Sequence, residues 1–372
     1  MLPPGSEHRE PAAVLDLLLA GAARADTAFG GADVRRYRFA DVTVEIHFAG
    51  ATVADALGGC LEHVRVDGEV HDPVARAAPV VLHCADAVTS GEPVSPLVEI
   101  LLDRIDHDWH AWLTPRHEIR GIGDETVPCT FEPWSGILSS YDHHRRIGAW
   151  WTRDASAIPS HERAAPLRTL LGWALADQGL QSVHAAAVGR PDGGVLLAGP
   201  GGSGKSSTAL RCLAAGLGHL ADDYCLVATG RTTPSGVPTA HSLYAVAKLD
   251  GPADLERLPE FGASVTNFDR VGTEKLVIDV AREHADRIVT SFPIRAVVVP
   301  HVDPSGPTAL VALPPAAALR ALGPTTLLQL PGSGAAALRA MGDLVRAVPC
   351  FTLRLGPDSH VAPALIADLL DR

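Results

Sequence analysis

The chain has 372 residues, a formal net charge of −12 and 47% hydrophobic residues, which predicts a globular protein with length for two domains. The acidic balance argues against a nucleic-acid partner, and no run reaches the about 18 apolar residues of a transmembrane helix, so we expect no membrane partner either. Six scattered cysteines without a C-x-x-C pair indicate reduced thiols in a cytoplasmic protein, rather than a zinc site or a disulfide framework.

Short strands are predicted in the first part of the chain. Thr43 to Phe48 alternates between apolar and polar residues, and Pro79 to His83 is an apolar run. Turn dipeptides such as Asp67-Gly68 separate these patterns. We therefore predict a β-rich N-terminal domain over residues 1–160, which selects the substrate or partner, and a nucleotide-binding domain over residues 161–372.

The second domain opens with a helical pattern from Glu162 to Gly179, and a strand hairpin follows it. Strands are predicted for Ser182–Val188 and Gly194–Ala198, because the intervening Pro191-Asp192 is a strong turn signal. If these strands pair antiparallel about that turn, the register places His184 opposite Gly199.

The residues from Gly199 to Ser206 match the phosphate-loop pattern G-x-x-x-x-G-K-[ST] without a gap, between a predicted strand and a predicted helix. In such a loop, backbone N–H groups and the helix N-terminus bind phosphate oxygens. Lys205 would reach the β- and γ-phosphates, and the Ser206 hydroxyl would ligate Mg²⁺. We therefore predict ATP and Mg²⁺ as cofactors. The predicted nucleotide-binding residues are Gly199, Pro200, Gly201, Gly202, Ser203, Gly204, Lys205, Ser206 and Ser207.

Two adjacent carboxylates, Asp222 and Asp223, lie between apolar runs after this helix. Adjacent strand residues face opposite sides, so both serve one site only if the chain turns there. In that case we assign Asp222 to the metal with Ser206, and the second aspartate accepts a hydroxyl proton. The like charge would raise one of the two pKa values. The alternative is that one aspartate binds the metal and the other only caps a turn.

Lysine is scarce in this chain, and the three lysines are Lys205, Lys248 and Lys275. Where nearly all other basic residues are arginine, the few lysines are expected at positions that a planar guanidinium cannot fill. Lys248 and Lys275 are therefore candidates for the same site, with stray surface positions as the alternative. Further on, Pro324 to Gln329 before a glycine loop either lines a substrate pocket or starts a helix. A strand after Val348-Pro349 and a closing helix then end the chain.

Three segments together resemble the bacterial HPr serine kinase/phosphorylase family: Val183 to Val188, the phosphate loop, and Ala221-Asp222-Asp223. The match covers about residues 180–230. The resemblance implies an α/β fold with a P-loop kinase core of the HPr kinase/phosphoenolpyruvate carboxykinase type, as well as assemblies of several subunits. It also implies that His184 and the two aspartates surround the transferred phosphoryl group, with one aspartate as base. The family's downstream glycine-rich signature is not found, so the chain looks more like the divergent HPr-kinase-like proteins.

These patterns predict an ATP- and Mg²⁺-dependent kinase that phosphorylates a hydroxyl group. Its predicted catalytic residues are His184, Lys205, Asp222 and Asp223, and serine of a peptide or protein is the leading acceptor. Two alternatives stay open, namely an ATP-binding switch or assembly module without phosphotransfer, and a kinase for a small metabolite.

Overall fold

A computed structural model describes residues 12–68, 79–94, 96–229, 233, 236–330 and 334–372. The chain is a mixed α/β protein with several sheets. It divides into two units. The first contains the described residues up to Gln178 together with Leu330, and the second contains Gly179 to Gln329 and Gly334 to Arg372.

The first unit combines one sheet with helices. Its strands are β1 Asp33–Phe39, β2 Val42–Phe48, β3 Arg65–Val66, β4 Val80–Asp86, β5 Cys129–Glu132, β6 Ile137–Asp142 and β7 Ile147–Thr152. Its helices are α1 Ala12–Ala28, α2 Ala51–Gly58, α3 Ala87–Ser90, α4 Pro96–His107, α5 Trp109–Trp112, α6 Ser160–Arg163 and α7 Arg168–Ala176. The seven strands form a mixed sheet in the order β3-β1-β2-β4-β7-β6-β5. The strands predicted around Thr43 and Val80 are thereby confirmed as β2 and β4.

The boundary between the units falls after Gln178 rather than after residue 160. Helix α7 packs against β6 and β7 and therefore belongs to the first unit. The helix predicted from Glu162 to Gly179 is also interrupted, since α6 ends at Arg163 and α7 begins at Arg168. A proline disfavours helical geometry in the residue before it, and Pro166 is followed by Leu167 in the left-handed region with φ of 54°.

The second unit contains a large mixed sheet and a two-stranded ribbon. Its strands are β8 Gln181–Arg190, β9 Gly193–Ala198, β10 Gly218–Ala221, β11 Tyr224–Ala228, β12 Thr239–Ser242, β13 Val246–Leu249, β14 Leu276–Asp279, β15 Ser291–Val302, β16 Ala309–Ala312 and β17 Cys350–Leu355. Its helices are α8 Lys205–Ala214, α9 Pro252–Leu255, α10 Val280–His284, α11 Pro315–Gln329, α12 Ala335–Ala347 and α13 Ala362–Leu370. Strands β13 and β14 form the ribbon, and the other eight form the sheet. The predicted C-terminal strand and closing helix are confirmed as β17 and α13.

The predicted hairpin is present as β8 and β9, with the predicted register. Ala185 pairs with Ala198 and Arg190 pairs with Gly193, around a turn at residues 191–192. Alternate residues of β8 belong to different cores. Ala185 and Ala187 pack in one apolar cluster, and Ala186 packs in another. Both faces of this strand are therefore buried, as its continuous apolar run requires.

Gly194 is a position where the hairpin core has no room for a side chain. A Cβ atom there would overlap the ring of the buried Phe292. We expect Gly194→Ala to lower the free energy of unfolding by about 1–3 kcal/mol, because overpacking forces neighbours out of their rotamers. Urea unfolding measures the effect. Gly262→Ala is the control, since no atom lies within 4 Å of a Cβ there. Equal midpoints for the two variants would contradict the tight packing.

None of the six cysteines forms a disulfide, in agreement with the sequence. Among the described residues, no helix has the length and apolar character needed to cross a membrane.

Candidate functional site

The phosphate-loop sequence connects β9 to the first residue of α8, so it lies between the strand and the helix that its pattern requires. Gly202 and Gly204 have φ of 75° and 99°, in the left-handed region where glycine is favoured. A Cβ on Gly204 would lie 2.6 Å from Leu355, whereas a Cβ on Gly201 or Gly202 would meet open space. One side of the loop is therefore packed on the core, and the other is open to a ligand.

Lys205 is the first residue of α8 and is 6% exposed. Its ammonium donates to the carbonyl oxygens of Gly199 at 2.8 Å and Pro200 at 3.1 Å. Burial lowers the pKa of this ammonium, although Asp223 and Asp222 oppose the shift. Phosphate oxygens of a ligand would replace two neutral carbonyls as acceptors, and hydrogen bonds between charged groups are stronger.

The backbone bends at Asp222 and Asp223 without reversing its direction. These residues lie between β10 and β11, and both strands pair antiparallel with β8, through Ala221 with Ala187 and Tyr224 with His184. The two carboxylates thus leave the strand pattern while the flanking residues stay in it. Both carboxylates contact the same residue, Lys248, and therefore lie near each other.

Asp222 is 2% exposed. Its Oδ2 atom accepts a 2.8 Å hydrogen bond from the backbone N–H of Lys248, and the Ser206 hydroxyl also interacts with this carboxyl. Burial and the charge of Asp223 raise the pKa of Asp222 to about 7. The Oδ1 atom is buried without a hydrogen-bond partner in the described structure. A buried carboxylate oxygen of this kind needs a partner that the protein itself does not supply.

One side chain lies beside each carboxylate oxygen of Asp223. Its Oδ2 atom lies 2.8 Å from the Lys248 ammonium, and its Oδ1 atom lies 3.6 Å from Nε2 of His184. Burial by itself would raise the pKa of Asp223, but the His184 imidazole and the Lys248 ammonium lower it well below its ordinary value. Asp223 is therefore a carboxylate at neutral pH.

His184 is buried in β8 and contacts two residues outside the three resembling segments. Its backbone N–H donates to the hydroxyl of Thr326 at 3.0 Å, and its ring lies 5.4 Å from the ring of Tyr224. Thr326 belongs to α11, so the stretch from Pro324 to Gln329 is the end of a helix and not its start. Residues 331–333 of the glycine loop that follows lie outside the described residues.

A cavity of about 330 Å³ opens beside the phosphate loop. All three lysines of the chain line it, as do Ser206 and Ser207. The three lysines, singled out by their scarcity, therefore lie around one cavity. His184, Asp222 and Asp223 do not belong to this described lining; they connect to it through Ser206 and Lys248.

The two remaining lysines differ in their contacts. Lys248 contacts the site carboxylates, whereas Lys275 is 60% exposed and pairs with Asp250 at 2.7 Å. Residue type made Lys248 and Lys275 candidates for the site, but the sequence did not indicate a role for either residue. It also gave no signal that Thr326 contacts His184.

The residues present fit a magnesium ion bound to a nucleotide. Ser206 and Asp222 are oxygen ligands of the kind that Mg²⁺ prefers, and the buried Oδ1 atom of Asp222 lacks a partner. Among the described residues, no group of three or more His, Cys, Asp and Glu side chains is arranged for a metal. Mg²⁺ usually keeps water and phosphate ligands rather than a full protein cage, so a sparse protein set suits it.

The raised pKa of Asp222 predicts a pH dependence for Mg·ATP binding. Binding a cation requires the ionised carboxyl, and below its pKa of about 7 this group is mostly protonated. We expect the dissociation constant of Mg·ATP to fall by about tenfold between pH 6 and pH 8. Calorimetric titrations at several pH values measure it. In Asp222→Asn, the dissociation constant should change with pH only as far as ATP itself titrates. If it changed as steeply in this variant as in the wild type, Asp222 would not be the titrating group.

The chain matches known proteins in structure but not in sequence. No protein-family model matches the chain, and no curated protein matches it in sequence. The chain is similar to a solved structure of the Hpr(Ser) kinase/phosphatase from Coxiella burnetii, with 12% sequence identity and a TM-score of 0.28. The match covers 50% of this chain and 95% of that chain. A TM-score this low assigns the chain no fold family, so function must be argued from the site itself.

Proposed function

We propose that this protein is an ATP- and Mg²⁺-dependent kinase that transfers the γ-phosphoryl group to a hydroxyl, with serine of a peptide or protein as the leading acceptor. The observation that carries the proposal is the position of the Asp222–Asp223 pair. It is connected to the phosphate loop through Ser206 and to the lysine-lined cavity through Lys248. A module that only binds nucleotide needs no second, ionised carboxylate at this place.

Each site residue has a role in this proposal. Lys205 and the loop amides bind the phosphates of ATP, and Ser206 with Asp222 would hold Mg²⁺. The metal, when bound, neutralises charge that develops on the phosphate oxygens. Asp223 orients the acceptor hydroxyl. Because its lowered pKa makes it a weak base, it accepts the hydroxyl proton late, as the acceptor oxygen bonds to the γ-phosphorus and the bond to ADP breaks. His184 orients Asp223 and stabilises the transferred group.

Catalysis of this kind rests on positioning and electrostatics, since phosphoryl transfer needs little covalent participation by the protein. The burial of the site residues supports this kind of catalysis. His184, Lys205 and Asp222 are all less than 9% exposed, so their charges and dipoles act in a medium that screens them weakly.

A transfer assay tests the proposal. The protein is incubated with Mg²⁺ and ATP labelled at the γ-phosphate, either with a pool of serine-containing peptides or with a set of small alcohols. Label on a peptide hydroxyl supports the leading acceptor, and label on an alcohol alone supports the metabolite kinase. Tight Mg·ATP binding without transfer to either pool, or to any component of a cell extract, would favour the switch and overturn the kinase.

A further inference from the structure

Lys248 stands apart from the other residues of the site, because it both lines the cavity and contacts the two aspartates. It lies in β13, outside the segments that carry the family resemblance. Its side chain is mostly buried, with 12% exposed. Its neighbours in the strand, Ala247 and Leu249, pack in an apolar core that also contains Leu210 and Leu213 of α8.

The contacts of Lys248 with the two carboxylates differ in kind. Its backbone N–H donates to Asp222 Oδ2 at 2.8 Å, and its ammonium lies 2.8 Å from Asp223 Oδ2. Strand β13 pairs with β14 from Val246 to Leu249, and this pairing fixes the backbone donor. Substitution of the Lys248 side chain would therefore keep the backbone hydrogen bond to Asp222 and remove only the ion pair with Asp223.

We propose that Lys248 is a positioning residue, which places the two aspartates for different roles through its backbone and its side chain. Through its backbone it keeps Asp222 beside Ser206 and the phosphate loop. Through its side chain it holds one carboxylate oxygen of Asp223, while His184 lies beside the other oxygen. This inference rests on the proposed kinase function and adds to it a residue that neither the loop motif nor the aspartate pair indicates.

The arrangement explains why this cation is a lysine. A single ammonium on a flexible stem reaches one carboxylate oxygen while the backbone of the same residue serves the other aspartate. A guanidinium would bind the carboxylate through two parallel N–H groups and compete with His184 for Asp223. Lys248→Arg should therefore restore the charge but only part of the geometry.

Three variants test the proposal: Lys248→Met, Lys248→Arg and, as a control for loss of a surface cation, Arg346→Met. We expect Lys248→Met to lower kcat by about 10- to 100-fold, as loss of an orienting partner commonly does, with the dissociation constant of Mg·ATP unchanged within about threefold. Lys248→Arg should recover part of kcat. Arg346→Met should change kcat by less than about threefold, because this exposed guanidinium pairs with Asp343 on α12 and is not part of the cavity lining.

Two results would overturn the proposal. One is a normal kcat in Lys248→Met. The other is a parallel loss of kcat and Mg·ATP affinity, which would make Lys248 a nucleotide ligand instead.

Failure of the kinase proposal is recognised separately, because wild-type protein would then bind Mg·ATP and phosphorylate nothing. A thermal double-mutant cycle decides the role of Lys248 in that case. Lys248→Met and Asp223→Asn should each shift the melting temperature, and the double variant should shift it by less than the sum. Additive shifts would show that Lys248 does not hold Asp223, and would reject the inference whatever the activity.

Discussion

Replacing Lys205 with methionine is expected to lower kcat/KM for phosphotransfer by about 1,000-fold or more, a loss of ~4 kcal/mol of transition-state stabilisation. The ammonium is buried at the start of α8, donates to two loop carbonyls and belongs to a residue that lines the cavity. Within such a site its charge is weakly screened, and methionine keeps the shape while removing it. Steady-state kinetics with Mg·ATP and the acceptor identified in the transfer assay measure the loss.

Two controls separate the lost charge from lost structure. The thermal stability of Lys205→Met should match or exceed that of the wild type, because burial disfavours the charged form of this lysine. Lys205→Arg should also be nearly inactive, since a planar guanidinium does not fit the position that the two loop carbonyls define. A Lys205→Met variant with near-normal transfer would end the kinase proposal.

Asp223→Asn should separate chemistry from binding. Asparagine keeps the size of the side chain but accepts no proton and carries no charge opposite Lys248 and His184. We expect kcat to fall by about 100- to 10,000-fold, the range typical for loss of a general base. The dissociation constant of Mg·ATP should change little, because the phosphate loop, Ser206 and Asp222 remain. Calorimetry with Mg·ATP and the transfer assay measure the two quantities on the same preparation.

Asp222→Asn is the matched comparison, since it removes the other carboxylate of the pair. Its main expected effect is weaker Mg·ATP binding, and its kcat at saturating nucleotide should suffer less than that of Asp223→Asn. If Asp223→Asn kept full activity while Asp222→Asn lost it, Asp223 would be a turn residue and the alternative assignment for the pair would hold.

The hairpin and the loop could be predicted because their signals are local. Pro191-Asp192 fixes the turn, the apolar runs fix the strands, and turn position then determines the register that β8 and β9 adopt. The start of α7 was predicted incorrectly because periodicity alone does not register the effect of Pro166 on the backbone. The extent of the first unit followed from the packing of α7, a tertiary contact that no local pattern encodes.

The contacts within the candidate site could be predicted only in part. Residue type and scarcity singled out Lys248. Its contacts with both aspartates depend on β13 lying beside the bend at Asp222, and tertiary packing sets that position. Thr326 reaches His184 from a helix 142 residues away in the chain, and its sequence neighbourhood fits a pocket wall as well as a helix. Long-range contacts of this sort leave no periodic trace in a single sequence.

The three consecutive alanines of β8 have a consequence for how this region can change during evolution. Ala185, Ala186 and Ala187 are fully buried, and helices α8 and α11 pack on the strand that carries them. One neighbouring residue, His184, belongs to the site, and α8 begins at the phosphate-binding lysine. A larger side chain on this strand would displace a helix and with it a site residue. A substitution that increases side-chain volume on β8 is therefore tolerated only together with a smaller side chain on the helix that faces it. Among homologues, β8 and these two helices should therefore covary in pairs while the loop sequence stays constant.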